Sequence, residues 1–142
     1  MTRRQRLGSL GERLAAVHLE AKGYRLRERN FRVREGEIDI VAEVGDVLVF
    51  VEVRTRRGHT MGTAIESITD RKRQRLLAAA QAYGQQREGL PGQWRLDVIA
   101  VDLAADGRLL KVEHVENAVE GGDALSAEKP TPSSHSGPKF RL

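Results

Sequence analysis

Leu10, Leu14, Val17 and Ala21 recur at helical spacing, and Gly23 follows them where a C-cap belongs. The spacing predicts an amphipathic helix over residues 8–22. Residues 24–34 alternate loosely and read as an extended segment at a sheet edge. Two β-branched runs follow, over residues 37–43 and 47–53, separated by Gly45-Asp46. A glycine opening a two-residue loop between such runs predicts a hairpin. Residues 56–62 form a polar, glycine-bearing loop. A second helix is expected over 69–85, with Ile68, Leu76, Ala80 and Tyr83 towards the core. Leu90-Pro91-Gly92 breaks the chain, and strands are expected over 94–103 and 109–115 around a turn at Asp106-Gly107. The order α, β, β, β, α, β, β predicts an α/β domain with a mixed central sheet flanked by helices. After about Val119 the pattern stops, and three of the four prolines lie there among Ser, Gly and Thr. Such a segment has too little apolar content to pack, so residues 1–118 are read as the domain and 119–142 as a flexible, disordered tail.

The hairpin carries chemistry. If Gly45 and Asp46 are the loop, counting outward from Val44 and Val47 sets Asp39 opposite Glu52 and Glu37 opposite Arg54. Alternation then places Asp39, Glu52 and Arg54 on one face and Ile38, Ile40, Val49, Val51 and Val53 on the other. Opposed carboxylates would stand about 5 Å apart at Cβ and repel. A hard divalent cation offsets that repulsion and keeps water positions open for a phosphate. Arg54 beside them would stabilise negative charge developing on a phosphoryl group. In a generic hairpin, an ion pair between Glu52 and an arginine on a solvated face is the commoner meaning of this pattern. Val41 and Phe50 lie between the charges, however, and the hairpin is apolar enough to be central.

Charge extends the picture. The formal net charge is +4 and the sequence pI about 9.8. Residues 3–34 hold ten Lys/Arg against three Asp/Glu, and residues 54–75 hold seven against two, so the excess is concentrated rather than spread. Most of it is arginine, whose planar fork matches phosphate. Basic fields of this kind favour polyanions, nucleic acid above all. Arg56, Arg57, Arg71, Lys72 and Arg75, with Arg73, are the candidates for holding a nucleic-acid backbone without reading its sequence; an ordinary charged helix face is the alternative. Lys72 is a candidate second cation at the acidic pair, although a lysine stretched along a helix start is the more frequent reading. Asp97 interrupts an apolar strand and is expected to pair with Arg95 or Arg29 in a structural role. The six aromatic residues are too few for base stacking to dominate. The absence of cysteine excludes thiolate chemistry, the four histidines share no ligand spacing, and His59 is read as a loop residue. No apolar run approaches the roughly 18 residues of a membrane span. Glu12, Arg13 and His18 interrupt the start of the chain, so no secretory segment is read there and a cytoplasmic location is expected.

Gly36-Glu37-Ile38-Asp39-Ile40-Val41-Ala42, followed by Val49-Phe50-Val51-Glu52-Val53-Arg54, resembles the PD-(D/E)xK nuclease superfamily. Gly11-Glu12, Gly23-Tyr24, Arg29-Asn30 and the run Arg95 to Val101 complete, in order, a resemblance to the YraN family of endonuclease-like proteins over residues 8–117. The resemblance implies a restriction-endonuclease-like fold, similar to archaeal Holliday-junction resolvases. It implies Asp39 and Glu52 as ligands of Mg²⁺ or Mn²⁺, Glu12 near the metal from the first helix, and the Val53 carbonyl in the inner shell. Arg54 stands where the motif has lysine, and arginine stabilises charge but does not take a proton. The implied activity is metal-dependent cleavage of phosphodiester bonds in DNA, branched or single-stranded. The alternatives are a nucleic-acid-binding protein that keeps the fold with little or no catalysis, and an adaptor whose basic face meets an acidic partner. Dimerisation is common among the junction-cutting proteins it resembles, so a homodimer is compatible with it.

Overall fold

The computed structural model describes residues 2–58 and 62–118; the expected tail over 119–142 and His59 lie outside them. Helix α1 (Arg3–Ala21) precedes strands β1 (Arg25–Val33), β2 (Gly36–Val44) and β3 (Val47–Arg57). Helix α2 (Asp70–Gln85) then leads to β4 (Gln93–Leu103) and β5 (Leu109–Val115). The five strands form one mixed sheet in chain order. β1, β2 and β3 pair antiparallel, β3 and β4 parallel, and β4 and β5 antiparallel. The parallel pair needs a crossover, which α2 supplies.

One helix covers each face. Ile40, Ala42, Val49, Val51, Ile99 and Val101 pack with Ala15, Ala16 and Leu19 of α1. On the reverse face Phe31, Val41, Phe50, Trp94 and Leu96 pack with Leu76, Ala80 and Tyr83 of α2. Phe31 and Phe50 meet the Tyr83 ring edge-on, at centroid separations of 5.1 and 5.6 Å, a geometry favoured by the ring quadrupoles. The hairpin is central, as its composition predicts, and Gly45 takes the left-handed conformation its turn requires (φ 58°). Among the described residues, no helix is long and apolar enough to cross a membrane.

Helix α1 starts five residues before the expected start at residue 8. Thr2 and Gln5 form a reciprocal capping box: the Thr2 hydroxyl accepts from Gln5 N at 3.0 Å, and the Gln5 carbonyl oxygen accepts from Thr2 N at 2.8 Å. The helix ends at Gly23 (φ 92°), where Tyr24 N donates back to Leu19 O at 3.0 Å, closing a Schellman turn. Its buried stripe differs from expectation. Gly11, Ala15, Ala16 and Leu19 face the sheet, whereas Val17 is 63% exposed and Ala21 is exposed. Small residues win because the helix lies close: a Cβ on Gly11 would come within 1.8 Å of Thr55 Oγ1. On the other face a Cβ on Gly36 would come within 2.2 Å of the Arg75 carbonyl oxygen. Both helices are thus drawn down onto the same stretch of the sheet.

A buried acid locks the far edge. Asp97 is fully buried and accepts from Arg95 Nε (3.0 Å), His114 Nε2 (2.7 Å) and Asn117 N (2.9 Å). His114 Nδ1 accepts from Lys22 Nζ (2.8 Å), which sets the tautomer, and Arg95 Nη2 donates to the Tyr24 hydroxyl (2.6 Å). Burial alone would raise the Asp97 pKa, but the bonds from His114, Arg95 and Asn117 outweigh it and hold the carboxyl below its ordinary range. The expected partner Arg95 is present; Arg29 instead faces Glu12.

The glycines and the buried acid can each be probed by substitution. Gly8 has open space around its Cβ position, whereas Gly11, one turn on, does not. Gly8→Ala is expected to stabilise by up to about 1 kcal/mol through helix propensity, and Gly11→Ala to destabilise by about 1–3 kcal/mol through overpacking; urea denaturation of the two variants gives both signs. Asp97→Ala leaves Arg95 and His114 facing a buried gap and is expected to cost about 3–5 kcal/mol, read as a lowered thermal midpoint.

Candidate metal centre

The centre forms where β2 and β3 part. Their paired register runs from Val44↔Val47 to Ile40↔Val51, following the outward count from the turn, and then stops. The reason lies in side-chain alternation. Ile40 packs on the α1 face but Ile38 packs on the α2 face, so the strand turns over at Asp39. On the neighbouring strand the register passes from Arg29↔Ile40 to Phe31↔Ile38, and the intervening Asn30 has a positive φ of 56°. Beyond the break, β2 follows Gly36 down onto α2. Asp39 therefore does not sit in a ladder pair with Glu52. Its Oδ2 reaches across and accepts from Val53 N at 2.8 Å, replacing the ladder bond that β2 no longer supplies. Glu37 is likewise not opposite Arg54: it pairs with Arg32, at 3.2 Å between the side chains.

Glu52 is only 3% exposed. Lys72 Nζ, from the first turn of α2, lies 3.4 Å from its Oε2, and Arg54 Nη1 lies 3.5 Å from the same oxygen. Its Oε1 is buried with no hydrogen-bond partner among the described residues. Arg54 is oriented from behind: its Nε donates to Ser67 Oγ (3.2 Å), whose own proton goes to Ala64 O (2.6 Å). The short 3₁₀ turn Ile65–Ser67 that carries Ser67 is started by a reciprocal Thr63–Glu66 pair, Thr63 N to Glu66 Oε1 at 2.8 Å and Glu66 N to Thr63 Oγ1 at 3.1 Å.

Three acids influence one another here. Burial, then the neighbouring Asp39 charge, pushes Glu52 up to about 7, with Lys72 and Arg54 opposing. Burial also raises Asp39, against the hydrogen bond from the Val53 amide. Glu52 thus keeps its proton well above the ordinary carboxyl range, and the Asp39 charge is part of the cause. Glu12, on α1, is raised by burial and by Asp39, while Arg29 (3.9 Å) and Asn30 favour its charged form. Gly11 sits against Thr55, so the next residue is fixed beside the parting strands.

This arrangement suits a divalent cation in its donor chemistry. Two neighbouring carboxylates, one buried with an oxygen lacking any donor and one half-buried, are the groups a hard cation satisfies. Among the described residues, no three His, Asp or Glu are gathered around one point. Asp39 and Glu52 could be direct ligands, with Glu12 reaching the ion through water.

Several of the predicted phosphate contacts have partners within the fold. Arg56 is held by Asp102 (3.0 Å) and the Gly62 carbonyl (2.8 Å) on β3, which continues to Arg57 where a loop was expected. Arg57, alternating with it, donates to the Ala105 carbonyl at 3.0 Å. Lys72 faces Glu52, whereas Arg71 and Arg75 lie elsewhere along α2; Arg73 pairs with Asp70. Sequence reasoning gives no role to Ser67 or Asn30. The Thr63-x-x-Glu66 capping signature marks the turn before Ser67, but no local signal shows that Asn30 would kink β1 beside Asp39.

Residues 11–101 match the uncharacterised protein family UPF0102. The chain is similar to a UPF0102 protein of Pelotomaculum thermopropionicum, 49% identical over 115 residues, covering 81% of this chain and 96% of that one. A UPF0102 protein of Moorella thermoacetica is 50% identical over 119 residues (83% and 98%), and one of Roseiflexus castenholzii 48% over 120 residues (83% and 96%). The matched span runs from Gly11 at the Thr55 contact, through Asp39, Glu52, Arg54 and Lys72, to Val101 of β4. On that span and those identities, the chain belongs to the UPF0102 family.

Proposed function

We propose that this protein is a metal-dependent nuclease of the restriction-endonuclease-like fold, hydrolysing phosphodiester bonds in DNA, branched or single-stranded. The observation that carries the reading is the pairing of buried Glu52 with half-buried Asp39 at a strand parting, with Glu52 Oε1 left without a donor. Neighbouring carboxylates in a desolvated site cost stability, and although Asp39 caps Val53 N, Glu52 has no such backbone duty to explain it.

In this reading Asp39 and Glu52 hold a Mg²⁺ or Mn²⁺ ion, whose chemistry is to polarise a phosphoryl oxygen and to acidify a bound water. The Val53 amide fixes Asp39 through one oxygen and leaves the other for the ion. Lys72 takes the part the motif gives to lysine: its ammonium lies at Glu52 and can hold or release a proton, which the Arg54 guanidinium cannot. Arg54, braced by Ser67, stabilises charge developing on the phosphate. Glu12 accepts a hydrogen bond from water entering from the α1 side.

A second reading has its own observation. Lys72 and Arg54 already converge on one oxygen of Glu52, so two cations could replace the metal and leave a DNA-binding protein without cleavage.

Two experiments decide. Purified protein is incubated with branched, single-stranded and duplex DNA in Mg²⁺ or Mn²⁺. Cleavage is expected for wild type, a return to background for Asp39→Ala and Glu52→Ala, and a large loss for Lys72→Ala. Identical behaviour of wild type and Asp39→Ala on all substrates would falsify the enzyme reading. The second experiment is thermal denaturation without metal. A carboxyl raised to about 7 favours folding below its ordinary value of 4.5 and disfavours it increasingly as pH rises through 7. Wild type should therefore lose stability between about pH 5 and 8 relative to Glu52→Gln, by on the order of 1–3 kcal/mol. Mg²⁺ should restore it at the higher pH in wild type but not in Asp39→Ala. The same pH profile in wild type and Glu52→Gln would sink the assignment.

A further inference from the structure

Beyond Val51 the margin of β3 that faced β2 is no longer paired with it, and α1 runs alongside. Followed away from the acidic pair, this margin passes Thr55, in contact with Gly11, and reaches Arg57. There an open cavity of about 530 Å³ is lined by Arg3, Arg4, Leu7, Arg57, Gly58 and Ala105. No carboxylate lines it. Neither Arg3 nor Arg4 has a carboxylate partner among the described residues, and both are exposed. Arg57 is oriented by the Ala105 carbonyl at 3.0 Å, and Asp106, which follows in the chain, is held by Arg108 at 2.9 Å. Three arginines from two elements therefore line a cavity together with Leu7, Gly58 and Ala105, and the nearby Asp106 lies within electrostatic reach of Arg57.

The geometry points to this cavity as a second contact for a polynucleotide strand: Arg3, Arg4 and Arg57 take its backbone phosphates, and Leu7, Gly58 and Ala105 take the sugar and base edge of one nucleotide. The size is that of a small-ligand site, and arginine forks match phosphate oxygens in pairs. Continuity selects a strand over a free anion. Val53, whose amide holds Asp39, and Arg57 are four residues apart on one face of an extended strand, about 13 Å, a distance a few nucleotides span; Glu52 lies on the reverse face, reached where β2 has parted from β3. A strand lying along the β3 margin thus meets the acidic pair and the arginine cavity together. The cavity deepens the nuclease reading and rests on it for the identity of the occupant.

The test is anisotropy of fluorescein-labelled oligothymidylate in chelator, over a series of salt concentrations. Each phosphate that the protein ceases to neutralise lowers the slope of log affinity against log salt by about 0.7 for single strands. The triple variant Arg3→Ala/Arg4→Ala/Arg57→Ala is expected to lower it by about 2, and Arg13→Ala, exposed on the same helix but outside the cavity, to leave it unchanged. Arg57→Gln alone, expected to lower the slope by about 0.7, replaces the triple if that variant does not fold. An unchanged slope in these variants, an equal fall in Arg13→Ala, or displacement of the oligonucleotide by equimolar inorganic phosphate overturns the proposal. Failure of the two readings is separable: metal-dependent cleavage with an unchanged slope removes the cavity and keeps the nuclease, and a lowered slope without cleavage does the reverse.

Discussion

The hydrogen bond from Val53 N to Asp39 Oδ2 is the point on which the rest of the architecture turns. A sheet strand that loses its neighbour exposes backbone donors, and a buried donor without an acceptor costs about 1–3 kcal/mol. β2 leaves β3 after Ile40 because Gly36 and Ile38 are drawn onto α2. A side chain must then replace a strand. A carboxylate does this well, as an acceptor with a second oxygen to spare. The acid is therefore structural and available at once; burial raises it, and burial together with its charge raises Glu52.

The two helices approach this break from opposite faces. α1 comes close because Gly11 offers no side chain to Thr55, which brings Glu12 within electrostatic reach of Asp39. α2 comes close because Gly36 offers none to the Arg75 carbonyl, and the same helix presents Lys72 to Glu52. The glycines thus fix the distances at which charges meet across the sheet. The Asp97 cluster at the other edge differs in kind: both carboxylate oxygens there have donors, and the carboxyl is depressed rather than raised. Deep burial with opposite shifts separates an acid that serves the fold from one that is poised.

Much of this was legible in the sequence. Binary patterning located both helices and all five strands, and the Gly45-Asp46 turn set a register that holds from Val44 to Ile40. Asp39, Glu52 and Arg54 are in one neighbourhood, as that register required. What failed was the assumption that alternation continues through Asp39. The turn-over of β2 depends on where Gly36 and Ile38 find partners, and those partners, Arg75 and the Tyr83 cluster, lie some forty residues on in the chain. The apolar stripe of α1 was misplaced for a related reason. Hydrophobicity favoured Val17, whereas close approach to the sheet favoured Gly11, Ala15 and Ala16. Lys72 at the acidic pair is the second of two readings, and contact with Glu52 favours it; local patterning ranks it lower because it does not reveal which strand a crossover helix will cover.

The parallel pairing of β3 with β4 also sets an order in time. β1, β2 and β3 are joined by short turns and can assemble locally, whereas β4 can join only after the chain has closed a loop through all of α2. Glu52 is enclosed only once that long closure brings Lys72 over it, so repulsion between the two acids would be felt in full only in the closed structure. A penalty that arises after the main barrier shortens the lifetime of the native state without slowing its formation. Whatever neutralises the pair, a proton or a cation, would then act as a brake on unfolding.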